Sequence, residues 1–447
     1  MKRYLIIPML LLFSYVHTAS AVPAIQQAEM KNGLRVLLME AHNVPMVSMQ
    51  LSVVAGSRFE AAETAGTASL LATMLADHSA RHDHRALAAL LDADAIHLGA
   101  AASRDDLKLS LTVLKEALQP GLDAFAELLL MPGWNNERFA IFQQDSISGA
   151  RKALEEPGAQ AATAASRLLF GEHPYGHRSS GTEASLAAIK LKDLKKLYHT
   201  QVKPAGAVLA VSGDITMDEL LPMLKHRLAG WHGAPKHRLM DIAVAPTVMG
   251  KTADISLPTS QTLVQLLRQG PARSDGAFFP AFVLNHILGG GGFGSRLMEE
   301  VREKRGLVYG VYSYFIPLAA PGSFVITLQT KADQAAEAEA VVRKVMGEMA
   351  SGKVTRKQLQ ASKDNLSGSF AQRMDSNRER VGLISMIGLY HLPLDYLSKW
   401  TQKVDAVTLN QVKQQAARFL KPEQWNRVRV GAKLNIEASA VSAAKAH

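Results

Sequence analysis

The stretch GGGGFGSRLMEEVREKRGLVYGVYSYF, residues 289–315, decides how the second half of this chain folds. Four glycines are followed by alternating apolar and charged residues, whose spacing predicts a helix from Arg296 to Lys304 with Ser295 as its N-cap. Gly306 is predicted to end this helix. The aromatic and β-branched run that begins at Val308 then predicts a strand.

Two residues of this stretch are candidates for a binding or catalytic site. Arg302 is near the predicted helix end and Tyr309 is at the predicted strand start, so a cation and a phenol could converge on one carbonyl or oxyanion. Taken by itself, the spacing also fits a solvated arginine in a charged helix. A phosphate-binding P-loop is excluded, because Gly-Ser-Arg rather than Gly-Lys-Ser/Thr follows the glycine run.

The length and the N-terminus of the chain indicate an exported protein of two domains. A chain of 447 residues exceeds one ordinary core. Residues 1–21 combine a basic start, an apolar segment and Ala19-Ser20-Ala21, which is typical of a signal peptide cleaved after Ala21; an uncleaved anchor is the alternative. No later stretch is long and apolar enough to span a membrane, so we expect an exported chain that leaves the membrane after cleavage.

Composition excludes several other classes of site. The chain has no cysteine, so disulfides and thiolate zinc sites are ruled out. The net charge of +10 is dispersed and no basic stripe carries interleaved aromatic residues, which argues against a nucleic-acid partner. The Ala/Ser/Lys-rich end, residues 436–447, is predicted to be a disordered tail.

The order of predicted elements repeats at an offset of about 215 residues, close to half of the mature length. Each half starts with two strands, continues with helices, a strand pair and more helices, and ends in a strand after a Lys-Pro dipeptide, Lys203-Pro204 and Lys421-Pro422. The repeat predicts an α+β fold with two similar lobes, each an antiparallel sheet with helices on one face. The predicted lobes cover 22–232 and 253–435, with a linker at 233–252.

The stretch AGSRFEAAETAGTASLLATML, residues 55–75, resembles the pitrilysin and insulinase family of inverted zinc peptidases, which includes mitochondrial processing peptidase. In that family a Gly-x-Arg-x-Glu segment leads into a helix with His-x-x-Glu-His, whose histidines bind zinc and whose glutamate activates water. Here Ser69, Ala72 and Thr73 stand where the resemblance places His, Glu and His. The third ligand, a glutamate roughly 75–80 residues further on in the family, is also missing: Asp145 is the only carboxylate in 138–154.

The resemblance therefore implies no zinc site and no metal or other cofactor in this chain. An alternative metal site would consist of His78 and His82, which are four residues apart, with His84 nearby. Arg81 occupies the place of the general base, and the polar run predicts an exposed loop with, at most, adventitious metal binding.

In the second half, GSRLMEEVREKRGLVYGVYS matches the family most sharply. Active relatives place an arginine and a tyrosine seven apart beside the zinc, and these positions correspond to Arg302 and Tyr309. In some members of the family the active site is formed by two chains, of which one binds zinc and the other supplies the arginine–tyrosine pair. The two chains face each other like the halves of a clamshell and enclose a chamber. The resemblance implies that this chain is the zinc-less partner, in a bacterial periplasm or an equivalent compartment.

Three functions follow from these expectations. The first is the peptide-binding half of a heterodimeric metallopeptidase, in which Gly289, Gly290, Gly291 and Gly292 form a loop lining the chamber or a plain connection. The second is a peptide-binding or scaffold protein without catalysis, possibly homodimeric. The third, an autonomous hydrolase with Ser69 as nucleophile, is disfavoured because no nucleophile-elbow glycine pattern surrounds Ser69.

Overall fold

The structure, a computed structural model, describes residues 23–432, and the predicted signal peptide (1–21) and tail (436–447) lie outside this range. The described residues form two β-sheets, each with its own set of helices. The strands are β1 (Gln26–Glu29), β2 (Arg35–Glu40), β3 (Met46–Val53), β4 (His97–Ala102), β5 (Leu107–Leu114), β6 (Val208–Gly213), β7 (Thr252–Ser256), β8 (Gln261–Gln269), β9 (Val311–Ile316), β10 (Ser323–Lys331) and β11 (Asn426–Gly431).

The helices follow the strands in the same order in both halves. They are α1 (Thr67–Asp77), α2 (His84–Ala93), α3 (Leu118–Leu130), α4 (Asn136–Lys152), α5 (Pro157–Phe170), α6 (Glu183–Ala188), α7 (Leu191–Gln201), α8 (Met217–Arg227), α9 (Phe278–Asn285), α10 (Ala335–Ala350), α11 (Arg356–Gly368), α12 (Asn377–Leu389), α13 (Trp400–Asp405) and α14 (Leu409–Phe419). Helix α11 ends at Gly368, and a 3₁₀ turn at Ala371–Met374 precedes α12.

The two sheets have the same topology. The strand order is β1-β2-β6-β3-β5-β4 in the first and β7-β11-β8-β10-β9 in the second, so every strand of the second sheet has a counterpart and β1 is an addition. Both sheets are antiparallel except for one equivalent parallel pair, β2 with β6 and β7 with β11. The predicted two-lobed α+β class is therefore confirmed.

The expectation that helices lie on one face of each sheet is wrong, because helices pack against both faces. In β2, Val36 and Leu38 pack with the helices of the first lobe, whereas Leu37 and Met39 belong to the core that contains α12. Strand β6 alternates in the same way. Uninterrupted apolar runs such as Val36–Met39 are typical of strands buried on both faces.

The lobes exchange equivalent helices. Helix α12, from the second half of the chain, lies on β2, β3 and β6 of the first sheet, and α5, from the first half, lies on β7, β8 and β11 of the second. The side chain of Ser385 on α12 is 2.8 Å from both Gln50 Nε2 and Ser52 Oγ on β3. Each lobe therefore completes the core of the other.

A buried carboxylate also joins the lobes. Asp105 Oδ1 accepts a hydrogen bond from the Tyr175 hydroxyl at 2.6 Å, and its Oδ2 accepts from the Tyr390 hydroxyl and the Ala319 amide, both at 2.9 Å. Arg58 Nε lies 3.5 Å from the same carboxylate. Arg58 Nε makes no hydrogen bond at this distance, so its link to Asp105 is electrostatic. The three hydrogen bonds to Asp105 hold segments that are distant in sequence in one arrangement.

The connection between the halves has no regular structure. Within residues 23–432, no helix or strand lies between Arg227 and Thr252, and the predicted linker overlaps this stretch. None of the helices in that described range is long and apolar enough to cross a bilayer.

Candidate substrate-binding site

Arg302 and Tyr309 lie side by side on the surface of the second lobe. The guanidinium carbon of Arg302 is 5.1 Å from the centroid of the Tyr309 ring and 4.7 Å from that of Phe293. Both rings are exposed, Tyr309 to 87% and Phe293 to 67%. The guanidinium of Arg302 therefore lies close to two exposed aromatic rings, and such contacts stabilise a cation through the ring faces.

The backbone around the pair differs from the prediction in three ways. The segment Met298–Glu303 is a π-helical turn rather than α-helix. Ser295 contributes no side-chain cap to it; its hydroxyl donates to the Gly292 carbonyl at 2.7 Å. Strand β9 begins at Val311, not Val308, so Tyr309 precedes the strand and is free to lean over Arg302.

Buried residues before the turn and a glycine within it fix the path of the chain between Arg302 and Tyr309. Leu297, Met298 and Val301 are buried beneath the helical turn. Gly306 has φ +63° and its amide donates to the Arg302 carbonyl at 2.8 Å, as predicted for a glycine that ends a helix. The side chain of Arg302 therefore projects from an anchored segment.

The basic side chains next to Arg302 form ion pairs with nearby carboxylates. Lys304 pairs with Glu299 at 2.8 Å and with Glu300 at 2.6 Å, and Arg305 pairs with Glu300 at 2.9 Å. Hydrogen bonds from Lys304 and then Arg305 lower the pKa of Glu300 below its ordinary value. Among the described residues, Arg302 has no ion pair and its side chain makes no hydrogen bond, so its donors are available to a ligand.

The glycine run is not one open loop. Gly289 and Gly290 end the π-helical turn His286–Gly290, which continues α9. A Cβ at Gly289 would lie 2.7 Å from Ser313 Oγ, so this glycine lets the helix approach β9 closely. Only the second part, with Gly292 at φ +59°, turns the chain at the surface and presents Phe293, a residue that the sequence analysis did not single out.

In the first lobe, the helix predicted to have lost its zinc ligands is α1. Ala72 is buried and has no donor atom, Ser69 is half-buried, and the hydroxyl of Thr73 donates to the Ser69 carbonyl at 3.2 Å. Asp145 is exposed on α4. Zinc requires histidine, cysteine or carboxylate ligands in tetrahedral array, so these side chains do not fit it. Residues 23–432 contain no group of three such ligands at metal-binding distance.

The segment with His78, His82 and His84 is a loop between α1 and α2, as predicted, but it is only partly exposed: Ala80, Arg81 and Asp83 are exposed, whereas His78 is buried. His78 is 5% exposed, and its Nδ1 lies 2.8 Å from Asp77 Oδ2, which also accepts from Arg138 Nε at 2.9 Å. His82 Nδ1 instead lies 2.7 Å from Glu127 Oε1. His84 begins α2. The first two imidazoles are thus engaged by different carboxylates.

The Gly-x-Arg-x-Glu segment has a structural role here. Glu60 accepts hydrogen bonds from the amides of Gly66 and Ala68, at 2.8 and 2.7 Å, and so caps the start of α1. Its burial raises its pKa, although His177 and these amides act in the opposite direction. Arg58 contacts Asp105, as described above. This segment therefore orients α1 and joins the lobes.

Comparisons with known proteins agree with this architecture. The family model described as Insulinase (Peptidase family M16) matches residues 35–166, and the one described as Peptidase M16 inactive domain matches residues 188–366. A crystal structure described as a peptidase M16 inactive domain from Pseudomonas fluorescens is 31% identical, with a TM-score of 0.87, and the match covers 92% of this chain and 98% of that one. This chain belongs to the M16, or insulinase, family of peptidases.

Two proteins from Helicobacter pylori add to the comparison. One, named Non-peptidase homolog YmxG, is 26% identical over 424 residues, which is 92% of this chain and 94% of the relative. A crystal structure described as a protease from the same organism has a TM-score of 0.85 at 19% identity, covering 92% of this chain and all of the other, and shows the same fold. Other relatives, such as one from Mycobacterium leprae that is 26% identical, are named uncharacterized zinc proteases. The names of these relatives therefore differ on whether they are peptidases.

Proposed function

We propose that this chain is the non-catalytic subunit of a two-chain periplasmic metallopeptidase and that Arg302 and Tyr309 bind the peptide beside the zinc of a partner chain. One observation carries the proposal. The arginine–tyrosine pair is assembled and exposed on the second lobe, while α1 of the first lobe lacks the donors that zinc needs. Hydrolysis would therefore depend on ligands that another chain contributes.

The role of the pair follows from its donors. The guanidinium of an arginine has five N–H donors and the phenol of a tyrosine has one O–H donor. Both groups donate hydrogen bonds without losing a proton. Placed beside a scissile peptide bond, they would donate to the carbonyl oxygen or its neighbour as negative charge develops. The contacts of the guanidinium with the Phe293 and Tyr309 rings favour the arrangement in which both donors of the pair are adjacent.

The first test is to measure zinc content and peptidase activity for the mature chain alone and with a zinc-bearing M16 partner. We expect no zinc and no activity for the chain alone, and activity that appears or rises on mixing. A chelator should then abolish the activity of the mixture. Stoichiometric zinc and activity in the chain alone would overturn the proposal.

The second test addresses the pair. Arg302→Gln and Tyr309→Phe should each lower kcat/KM of the two-chain enzyme by about 10²–10³, the usual effect of removing one such donor. Arg305→Gln is the matched control, because Arg305 lies on the same turn but is paired with Glu300; its effect should stay within about threefold. Equal activity of Arg302→Gln and the wild type, with dimer formation intact, would remove Arg302 from the site.

A second candidate is a peptide-binding or scaffold protein that takes part in no hydrolysis. The name of the Helicobacter pylori relative, Non-peptidase homolog, favours it. In that case, mixing with a zinc-bearing partner would leave peptidase activity unchanged, while peptide binding by the chain alone would persist and would still depend on Arg302.

A further inference from the structure

Helix α7 carries a row of basic residues along its outer side. Four of them follow one another at intervals of four, three and four residues: Lys192, Lys196, His199 and Lys203. This spacing places them on one side of the helix, with Lys203 just beyond its last turn. The side that carries Leu194 is buried. At a rise of 1.5 Å per residue, the row is about 16 Å long.

The linker between the lobes extends this basic surface. The amide of Lys236 donates to the Thr200 carbonyl at 2.8 Å, and Lys196 and Lys236 line the same cavity. The side chain of Lys203 in turn lies 3.5 Å from the Cβ position of Gly233. Helix and linker therefore form one surface, the α7 patch, which consists of Lys192, Lys195, Lys196, His199, Lys203 and Lys236.

The charges of the α7 patch are not neutralised by the first lobe. Lys108 and Lys115, elsewhere in this lobe, lie 4.0 and 3.1 Å from aspartate oxygens. Within residues 23–432, by contrast, no lysine of the α7 patch forms an ion pair. Asp193 and Asp241 each accept a backbone amide at 2.8 Å, and Glu63, which lines the same cavity, pairs with neither of its lysines. The patch therefore has an excess of positive charge.

The composition of the patch indicates what binds to it. Lysine has a point charge on a flexible stem, whereas a single, fixed carboxylate or phosphate is better matched by the planar fork of arginine. Lysine is also depleted from protein–protein interfaces. A nucleic acid would need exposed rings for base stacking, but Tyr198 of α7 packs against Trp134 and donates to the Leu129 carbonyl at 2.6 Å. A row of lysines suits the anionic headgroups of a fluid lipid surface, which require no fixed geometry.

We propose that the α7 patch binds the mature chain to an anionic phospholipid surface, with its lysines at the level of the lipid phosphates. The sequence predicts a chain that leaves the membrane after cleavage of its signal peptide, and the proposed contact is a later, peripheral one that salt reverses. It uses neither Arg302 nor Tyr309, so it is independent of the proposed function. It adds a location for the chain, on the face of a membrane.

The test is co-sedimentation of the mature chain with vesicles at low ionic strength. One set of vesicles contains phosphatidylcholine alone, and the other contains equal parts of phosphatidylcholine and phosphatidylglycerol. We expect binding to the mixed vesicles and none to phosphatidylcholine. Binding should disappear at about 1 M salt, where the Debye length falls to about 3 Å.

A triple variant tests whether the patch makes this contact. Lys192→Gln, Lys196→Gln and Lys236→Gln together should weaken binding to the mixed vesicles at least about 30-fold, because each lysine close to an anionic surface contributes about fivefold. All three residues are exposed and unpaired within the described chain, so the variant should keep the helical content and the unfolding temperature of the wild type.

The matched control removes the same charge from the second lobe. Lys344→Gln, Lys357→Gln and Lys421→Gln change three exposed lysines and lower the net charge by the same amount. This control should bind within about threefold of the wild type, because charges more than a Debye length from the lipid surface are screened.

Four outcomes would overturn the inference. The first is no binding to the mixed vesicles, and the second is an equal loss of binding in the control variant. Loss of binding when inorganic phosphate is added at constant ionic strength would make the free anion the ligand. Binding of polyglutamate without binding of vesicles would make an acidic polypeptide the partner. The proposed function is judged separately, by the effect of Arg302→Gln on partner-dependent hydrolysis without vesicles, so the two can fail independently.

Discussion

At the scale of single residues, the first lobe lacks side chains that could bind zinc, whereas the second lobe presents a pair of hydrogen-bond donors at its surface. In the first lobe, the α1 side chains Ser69, Ala72 and Thr73 leave no set of donors that fits zinc. In the second, Arg302 and Tyr309 are adjacent and exposed. Phe293 contacts the Arg302 guanidinium and the Gly306 amide donates to the Arg302 carbonyl, so both residues contribute to the position of this arginine.

Asp77 supports the segment that follows α1, and its effect on stability should depend on pH. Partial burial by itself would raise the pKa of Asp77, but the hydrogen bonds and charge of Arg138 outweigh it and hold the pKa below the ordinary value of 3.8. A carboxylate with a lowered pKa stabilises the fold above the pKa of the unfolded chain, and this contribution is lost as pH falls through the folded pKa.

Asp77→Asn should therefore lower the free energy of unfolding by about 1.5–3 kcal/mol at pH 7, the range for hydrogen bonds to charged groups. The difference from the wild type should persist down to about pH 4 and shrink below it. Urea unfolding between pH 7 and pH 3 measures it. Asp123→Asn, which removes a carboxylate that is 66% exposed, is the control and should cost under about 1 kcal/mol. A pH-independent difference for Asp77→Asn would contradict this account.

At the scale of elements, the exchanged helices decide how tightly the lobes are joined. Gly388 lets α12 lie directly on the first sheet, since a Cβ there would be 2.4 Å from Val208 Cγ1 and 2.8 Å from Leu37 Cδ1. Both neighbours are side chains of a packed core, so neither can move without disturbing others.

Gly388→Ala is expected to destabilise the protein by about 1–3 kcal/mol, the usual cost of overpacking a core. Gly382 lies on the same helix with nothing within 4 Å of its Cβ position. Gly382→Ala should instead stabilise the protein by about 0.5–1 kcal/mol through helix propensity. Thermal or urea unfolding of both variants distinguishes packing from propensity; a stabilising Gly388→Ala would show that α12 is not in close contact with β6.

At the scale of the whole molecule, the shared cores should make the two lobes unfold together. The core that contains α12 includes Leu37, Met39, Val208 and Ala210 of the first sheet, and the core beneath α5 includes Leu267, Val428 and Val430 of the second. Removing either lobe would expose an apolar sheet face of the other, at a cost of about 25 cal/mol per Å².

Calorimetry of the mature chain should accordingly show one transition, with equal calorimetric and van't Hoff enthalpies, although chains of two domains often show more. A fragment limited to residues 23–232 should not fold stably by itself, because it lacks α12. Two resolved transitions, or a stable and monomeric fragment, would show that the lobes are independent.

Much of this protein was determined by the sequence alone. The local order of apolar, glycine and capping residues predicted the repeat, the two-lobed class and most elements, since helix and strand periodicities are read within a few turns of chain. Short elements such as β1, α6 and α13 were not predicted, because segments of four to six residues contain too little periodicity. The absence of zinc ligands from α1 was also predicted from the sequence, because Ser69, Ala72 and Thr73 stand at the positions of His, Glu and His in the family pattern.

Only the tertiary structure decided three features: the exchange of α5 and α12, the burial of His78, and the placement of Phe293 against Arg302. Each depends on contacts between segments far apart in sequence or on the path of a turn, which no local pattern specifies. The continuous apolar run Val36–Met39 is typical of a strand buried on both faces, yet the predicted lobes had helices on one face only, and the run does not specify which helix covers the other face. The partner of a buried face is chosen by the shape of the whole molecule, because apolar burial is non-directional.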